Sequence, residues 1–131
     1  MIEKEVLAIT NSASDAAAAL NALVDQFRLG RDPEELLRLL FSEDDELIRI
    51  GVWITAEIST EHYNTVPFIS CLKELTNHQD PSVRLYALSA LFPLLDPTNR
   101  ETHEIIIKLM KDSNDGVRET ADVAAKTLGI V

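Results

Sequence analysis

The 131-residue sequence predicts an all-α fold, a short α-solenoid in which antiparallel helix pairs stack side by side. A phrase recurs about every 34 residues, and its arginines, Arg49, Arg84 and Arg118, lie 35 and 34 residues apart (84 − 49; 118 − 84). A period of this size is typical of stacked supersecondary units. Strict alternation of apolar and polar residues, the pattern of strands, does not persist anywhere in the chain.

The recurring phrase also indicates how the second helix of each unit begins. Its acid or amide, Asp45, Asp80 or Asn114, is predicted to lie just before a helix and to accept hydrogen bonds from the free N–H groups. The arginine falls near the helix start, where the helix dipole disfavours a cation. We therefore expect each arginine to reach an acid or carbonyl of the neighbouring unit, forming a ladder. The copies read Glu43, Asp45, Ile48, Arg49, Val52; His78, Asp80, Val83, Arg84, Ala87; and Asp112, Asn114, Val117, Arg118, Ala121.

Helix starts and stops divide the first third of the chain. Residues 2–9 are predicted to form a short helix. A longer helix begins after Ser14 in an alanine-rich run and ends before Gly30, a residue type favoured just past helix ends. Asp32 is predicted to cap the next helix, with Pro33 at its first position and Glu35 completing a capping box.

Residues typical of helix starts and ends also occur in the second half of the chain. Asp80 precedes Pro81 at a predicted helix start, Thr98 and Glu101 match a capping box, and Gly129 ends the last helix. Short loops favour antiparallel neighbours, and the pairs must stack because one pair cannot bury its apolar stripe. The predicted helices span 2–9, 15–29, 33–41, 46–59, 65–77, 82–92, 99–111 and 116–128.

The recurring phrase resembles the start of the second helix in HEAT repeats. The best match is Asp112 to Arg118, followed by small or apolar residues through Gly129, whereas Gly51 to Trp53 depart from the pattern in the first unit. The resemblance covers residues 33–129 and implies a right-handed solenoid of about three repeats, but it does not indicate an activity. We expect one domain, 1–131, with N-terminal capping helices at 1–30 and repeats at 31–61, 62–95 and 96–131.

The charge of the chain restricts its partners. The net charge is −10 and the isoelectric point is about 4.6, which argues against direct binding of nucleic acid or of an anionic membrane surface. The excess of acidic over basic residues is unevenly distributed along the chain. Residues 31–60 hold eight acids and three bases. The densest point of the excess is the run Glu43 to Glu46. This pattern favours a basic protein partner.

The compartment is predicted from what the sequence lacks. No apolar run approaches the roughly 20 residues that span a bilayer. Met1 to Glu5 carry the wrong charge for a secretory signal. Cys71 is the single cysteine, so no internal disulfide forms, and its apolar neighbours indicate a core residue. We expect a cytoplasmic protein.

The residues of catalysis and metal binding do not converge in this sequence. Spacings typical of zinc or calcium sites and glycine-rich phosphate loops are missing, so the chain is predicted not to be an enzyme and to hold no cofactor or metal. Glu61-His62 and His103-Glu104 are similar to the His-Glu dipeptides of HEAT-fold metal hydroxylases. Those enzymes use several pairs in register, whereas this chain has one such pair and one reversed pair.

The candidate partner surface lies on the second helices, which line the concave side of stacked pairs. Alignment on the arginines predicts core rows and three concave rows: Ile50, Leu85, Glu119; Trp53, Leu88, Asp122; and Glu57, Phe92, Lys126. Two interpretations remain. In the first, the apolar members belong to the core, either because the N-terminal helices cover them or because the register is wrong by one residue. In the second, they form an exposed patch with an acidic rim. The partner-binding set is Trp53, Ile50, Glu57, Leu85, Leu88, Phe92, Tyr86, Asp44, Asp45, Glu46 and Glu61.

The patch favours a non-catalytic protein-interaction module, a monomer or weak dimer. Its most specific form is an acidic inhibitor that binds a basic toxin or nuclease, because small bacterial proteins of this kind often resemble immunity proteins. A generic assembly scaffold is equally compatible. The alternative is ligand handling, since bilin lyases and chaperones are similar in repeat type and an apolar groove with Trp53 could hold a flat pigment.

Overall fold

The structure is a computed structural model that describes residues 1–11, 15–59 and 63–130. These residues form eight α-helices and no strand, which confirms the all-α prediction. Ser14, which was predicted to precede the second helix, lies outside the described residues. A short 3-10 turn, Phe92–Leu94, follows the sixth helix. The helices are α1 (Ile2–Thr10), α2 (Ala16–Arg28), α3 (Glu35–Leu40), α4 (Asp45–Glu57), α5 (Val66–Leu75), α6 (Pro81–Leu91), α7 (Arg100–Leu109) and α8 (Asp115–Leu128).

Neighbouring helices pack in pairs. Helix α3 packs against α4, α5 against α6, and α7 against α8, while α4 contacts α6 and α6 contacts α8. Helix α1 contacts α2, α3 and α4. Helix α6 therefore lies between two other second helices, and its Ala87, Leu88 and Leu91 side chains are fully buried.

Ion pairs hold the N-terminal helices to α3. Arg31 binds both Glu5 of α1 and Glu35 of α3, with nitrogen–oxygen distances of 2.7 and 2.9 Å. Its guanidinium also lies over the Phe27 ring, 5.3 Å from the centroid. Arg38 of α3 binds Glu3 of α1 at 3.1 Å. These contacts fix α1 and the end of α2 beside α3.

Of the three caps predicted within the recurring phrase, two are confirmed and one is displaced by one position. The side chain of Asp80 accepts a hydrogen bond from the Ser82 backbone, and that of Asn114 accepts one from Val117. Helix α4 is capped by Asp44 rather than Asp45, because the Asp44 carboxylate accepts from the backbone N–H groups of Glu46 and Leu47. Asp45 instead faces the next unit.

Both predicted capping boxes are wrong. Helix α3 begins at Glu35, whose carboxylate binds Arg31 and not the backbone at Asp32. Helix α7 is capped by Asn99 instead of Thr98. Glu101 binds Lys73 of α5. In each case the glutamate carboxylate pairs with a cation of another segment and not with the backbone N–H of the predicted cap.

The displaced cap changes the register of the first unit. Counted from the cap, Arg84 and Arg118 are fourth residues (84 − 80; 118 − 114), whereas Arg49 is the fifth (49 − 44). One residue turns a side chain by about 100° around the helix. The alignment on the arginines is therefore wrong by one residue here, and Ile48 takes the ladder position. The buried positions then correspond as Leu47, Val83, Val117; Gly51, Ala87, Ala121; Ile54, Ala90, Ala124; and Thr55, Leu91, Ala125.

The arginine ladder is confirmed at one step. The Nε and Nη2 atoms of Arg84 each donate to the Asp112 carboxylate at 2.8 Å, and both side chains are largely buried. This pair joins α6 to the turn before α8, and it lowers the pKa of Asp112 below its ordinary value. Arg118 donates to the backbone carbonyl of Asp112 and to the carboxylate of Asp115, both in its own unit. Arg49 is not part of the ladder.

Cys71 is buried in α5, as predicted for a core residue. Burial, together with the nearby Glu74 charge, raises the pKa of its thiol to about 11. The thiol is therefore protonated near neutral pH. Among the described helices, none combines the length and the apolar character needed to cross a membrane.

Candidate functional site

An open groove lies between α2, α4 and α6. It encloses a volume of about 260 Å³, and we call it the α4 groove. Helix α4 supplies Arg49, Ile50 and Trp53, while α6 supplies Ser82 and Tyr86 along the opposite wall. The third wall is α2, with Ala17, Leu20 and Asn21.

One face of α4 carries the chemistry of the groove. Arg49 and Trp53 are four residues apart, so their side chains are neighbours on one helix face. Glu46 lies one turn before Arg49, and Glu57 lies one turn after Trp53; both are exposed. The face therefore presents an acid, an arginine, a tryptophan and a second acid in sequence.

The N-terminal helices cover part of the predicted concave side. Helix α2 forms a wall of the groove, and its Arg28 donates to the Glu57 carbonyl and lies 3.5 Å from the Glu57 carboxylate. The groove nevertheless remains open above Trp53, which is partly buried against the core. Helix α2 thus covers one flank of the apolar rows and leaves Trp53 partly accessible.

Two residues of the predicted partner surface are core residues. Leu88 is 0% exposed because α6 lies between α4 and α8, so its assignment to an exposed row is wrong. Ile50 is 6% exposed and forms the floor of the α4 groove. The shifted register accounts for Ile50, because the row was drawn one residue away from the true exposed position.

The remaining apolar members are divided between the groove and other contacts. Trp53 and Tyr86 line the groove together. Leu85 packs toward α8, where its Cδ1 atom lies 3.2 Å from the place that a Cβ of Gly116 would occupy. Phe92 lies in the 3-10 turn after α6. Glu61, predicted for the acidic rim, lies outside the described residues, as does His62.

Sequence reasoning missed the walls of the groove. Leu20 and Asn21 belong to a helix that was predicted only as a cap, and Ser82 was not singled out. Arg49 was assigned to the ladder. The available signal was the pair of adjacent acids, Asp44 and Asp45, because either one can cap α4 and the choice fixes where Arg49 points.

The acidic turn, residues 43–46, has structural roles as well as charge. Asp44 caps α4, and Asp45 lies 3.3 Å from the Nε2 atom of His78 and accepts from Gln79. Glu46 is 3.8 Å from Arg49, and Glu43 is exposed. All four carboxylates remain accessible to solvent, so the turn keeps much of its negative field beside the groove.

A second cavity, of about 490 Å³, lies among the turns before α6 and α8, and most of its lining residues carry polar side chains. Its lining includes His78, Lys108, Lys111 and the Arg84–Asp112 pair. Lys108 binds the side chain of Asn77, and Arg84 is held by Asp112 and by two backbone carbonyls. Among residues 1–11, 15–59 and 63–130, no three metal-ligating side chains are grouped to hold an ion.

Comparisons with known proteins give no family for this chain. No protein-family model matches it, and no curated protein matches it at a significant level. The function is therefore inferred from the residues of the α4 groove and of the acidic turn.

Proposed function

We propose that the protein is a non-catalytic protein-interaction module that binds a basic partner through the α4 groove and the acidic turn. The observation that carries this proposal is the position of Trp53. It lines an open groove in the middle of a helix face, with exposed acids on both sides: Glu57 one turn after it and Glu46 two turns before it. Tryptophan is enriched among the residues that dominate protein interfaces.

The size of the groove favours an anchoring side chain over a large ligand. Pockets for drug-sized molecules enclose roughly 300–1,000 Å³, and this groove encloses about 260 Å³. A flat tetrapyrrole needs more room, which disfavours the pigment-handling alternative. One large apolar side chain from a partner protein matches the space better.

The charge of the molecule supports a basic partner. The net charge is −10, and much of the arginine charge is already offset inside the molecule, as at Arg31, Arg38 and Arg84. An acidic field accelerates encounter with a basic surface and orients it. The most specific form of the proposal is a cytoplasmic inhibitor or immunity protein that neutralises a basic toxin domain such as a nuclease.

We also propose that the helix pairs form a short right-handed solenoid of HEAT-like repeats. The contacts of α4 with α6 and of α6 with α8 support this arrangement. The Arg84–Asp112 pair between successive units is a further point in its favour. In such a stack the α4 groove lies on the concave side, which is the usual binding surface.

A pull-down from the native host tests the proposed function. The tagged full-length chain is incubated with lysate at low salt, bound proteins are eluted by a salt step, and they are identified by mass spectrometry. We expect one stoichiometric basic protein that elutes with salt. Failure of the well-folded chain to capture any such protein contradicts the proposal.

Truncating Trp53 is expected to weaken binding of the captured partner. Trp53→Ala should reduce affinity by about 2 kcal/mol, a roughly 30-fold loss, because an anchor in a groove carries much of the binding energy. Binding is measured by calorimetry after thermal unfolding has shown that the variant is folded. Phe41→Ala is the control, since Phe41 is 67% exposed and lies outside the groove lining. Unchanged affinity in Trp53→Ala, with lower stability, would make Trp53 a purely structural residue.

Neutralising the acidic turn is expected to slow association. The variant Glu43→Gln, Asp45→Asn and Glu46→Gln keeps Asp44, which caps α4. Its association rate should fall and depend less on salt, because the turn steers a basic partner. Stopped-flow measurements over a range of ionic strengths test this. Glu34→Gln, Glu74→Gln and Glu104→Gln removes three exposed acids elsewhere. Equal slowing in both variants would show that only total charge matters.

A further inference from the structure

We infer that the α4 groove binds the C-terminal residue of its protein partner, with the terminal carboxylate on Arg49 and a large apolar side chain on Trp53. This inference rests on the proposed function and specifies which part of the partner enters the groove. It follows from the difference between Arg49 and the other two arginines of the recurring phrase.

Among the described residues, Arg49 makes no ion pair with the next unit, unlike its counterpart Arg84. Arg84 donates to a carboxylate and to two backbone carbonyls, and 13% of its side chain is exposed. Arg49 has 46% of its side chain exposed, and Glu46 lies 3.8 Å away, near the limit for an ion pair. The one-residue shift of α4 turns Arg49 toward Ser82 and Tyr86 across the groove. Its guanidinium therefore has donors to offer a ligand.

A carboxylate is the anion that fits this arginine. The planar guanidinium binds carboxylates through two parallel hydrogen bonds. The molecule itself contains such a pair, since Arg84 holds Asp112 through two bonds of 2.8 Å. A phosphate carries more negative charge, and Glu46 and Glu57 on the same helix face disfavour it more strongly than a single carboxylate.

The neighbours of Arg49 specify an apolar group on the same ligand residue. Trp53 and Ile50 lie beside and below the ligand space, and Leu20 and Tyr86 close the flanks. Side chains four residues apart on a helix have Cβ atoms about 5–6 Å apart. A protein C-terminus matches this spacing because the α-carboxylate and the last side chain leave the same Cα atom.

The acidic turn specifies what precedes the terminal residue. Glu46 is one turn from Arg49, and Glu43, Asp44 and Asp45 continue beyond it. A chain that places its carboxylate on Arg49 brings its preceding residues toward these acids or toward Glu57 at the other end of the groove. Lysines or arginines just before the terminus complement both ends. The expected partner therefore ends in basic residues followed by a large apolar residue.

A pair of synthetic peptides tests the inference. The probe is acetyl-Gly-Ser-Lys-Arg-Lys-Leu with a free carboxylate, and the matched peptide carries a C-terminal amide. Binding to the full-length chain is followed by the fluorescence of Trp53, which is the single tryptophan of the sequence. The free acid should bind at least about tenfold more tightly than the amide, because a charge-assisted bond is lost in the amide.

Three substitutions assign that preference to Arg49. Arg49→Gln should abolish the difference between acid and amide. Glu46→Gln removes the carboxylate that competes for Arg49, so the acid-to-amide ratio should rise even though both peptides lose some attraction. Arg100→Gln is the control, because Arg100 is 92% exposed on α7 and outside the groove lining. It should leave the ratio unchanged.

The outcomes separate this inference from the proposed function. Equal binding of acid and amide, no binding of either, or a preference that survives Arg49→Gln overturns the inference. If the captured partner still loses affinity with Trp53→Ala, the proposed function stands without it. Tighter binding of 3-phenylpropanoate than of the peptide acid also overturns it, since the groove then takes a small carboxylate in place of a chain terminus.

Discussion

Replacing Asp112 by asparagine is expected to lower the free energy of unfolding by about 3 kcal/mol, because the change leaves a largely buried arginine without its counter-charge. The Asp112 carboxylate accepts from Nε and Nη2 of Arg84 and from the backbone N–H of Asn114. An asparagine offers one oxygen, and its amide group would face another donor. Chemical denaturation at pH 7 measures the loss.

The pH dependence of this effect has a defined sign. Arg84 lowers the pKa of Asp112 in the folded state, while the unfolded value is about 3.9. The stabilisation is therefore fully present above about pH 4 and is lost as the pH falls through the lower folded pKa. The difference in stability between wild type and Asp112→Asn should be constant near neutrality and shrink in acid.

A surface pair provides the matched control. Asp115 binds Arg118 within one helix turn, and its side chain is 83% exposed. Asp115→Asn should change stability by less than about 0.5 kcal/mol, since exposed ion pairs contribute little. If the two variants lose equal stability, the Arg84–Asp112 pair contributes no more to the free energy of unfolding than an exposed ion pair does.

Adding one methyl group at Gly51 is expected to cost up to about 2 kcal/mol. A Cβ on Gly51 would lie 2.5 Å from the Cβ of Leu39, so α3 and α4 must move apart. Overpacking of this kind costs about 1–3 kcal/mol, and the better helix propensity of alanine returns up to about 1 kcal/mol. Both clashing atoms are Cβ atoms bonded directly to the backbone, so rotation of a side chain cannot relieve the contact. Denaturant unfolding of Gly51→Ala measures the cost.

Gly116 is the corresponding control in α8. A Cβ there would lie 3.2 Å from Cδ1 of Leu85, which is the end of a flexible side chain, and 3.3 Å from Oδ1 of Asn114. Gly116→Ala should stay within about 0.5 kcal/mol of wild type, because alanine favours the helix and Leu85 can shift. A neutral Gly51→Ala would mean that the α3–α4 contact is loosely packed.

Much of the helical framework follows from local patterns in the sequence. The recurring phrase predicts helices near their observed bounds, and Asp80 and Asn114 cap α6 and α8 as expected. These predictions succeed because capping and periodicity depend on residues a few positions apart. The prediction that Asp45 caps α4 is wrong because Asp44 and Asp45 are equally able to cap a helix. The contact that occupies Asp45 is with His78, which lies 33 residues away.

The candidate site depends on contacts that local patterns do not contain. Burial of Leu88 follows from the position of α6 between α4 and α8, and the wall formed by α2 follows from packing across the chain. The amphipathic pattern of a helix shows which face is apolar, but not which neighbour covers it. Trp53 was identified from the sequence because a large apolar residue stood where the last unit has the polar residue Asp122.

Helix α6 joins the two ends of the molecule energetically. Ser82 and Tyr86 line the groove, and Arg84 between them binds Asp112 in the turn that joins the two helices of the last pair. A ligand that shifts α6 alters how firmly the last pair is held. Thermodynamic linkage makes this effect mutual, so tightening the last pair alters affinity at the groove by an equal factor. For any ligand that displaces α6, binding at the α4 groove and the stability of the α7–α8 pair are therefore coupled through this helix.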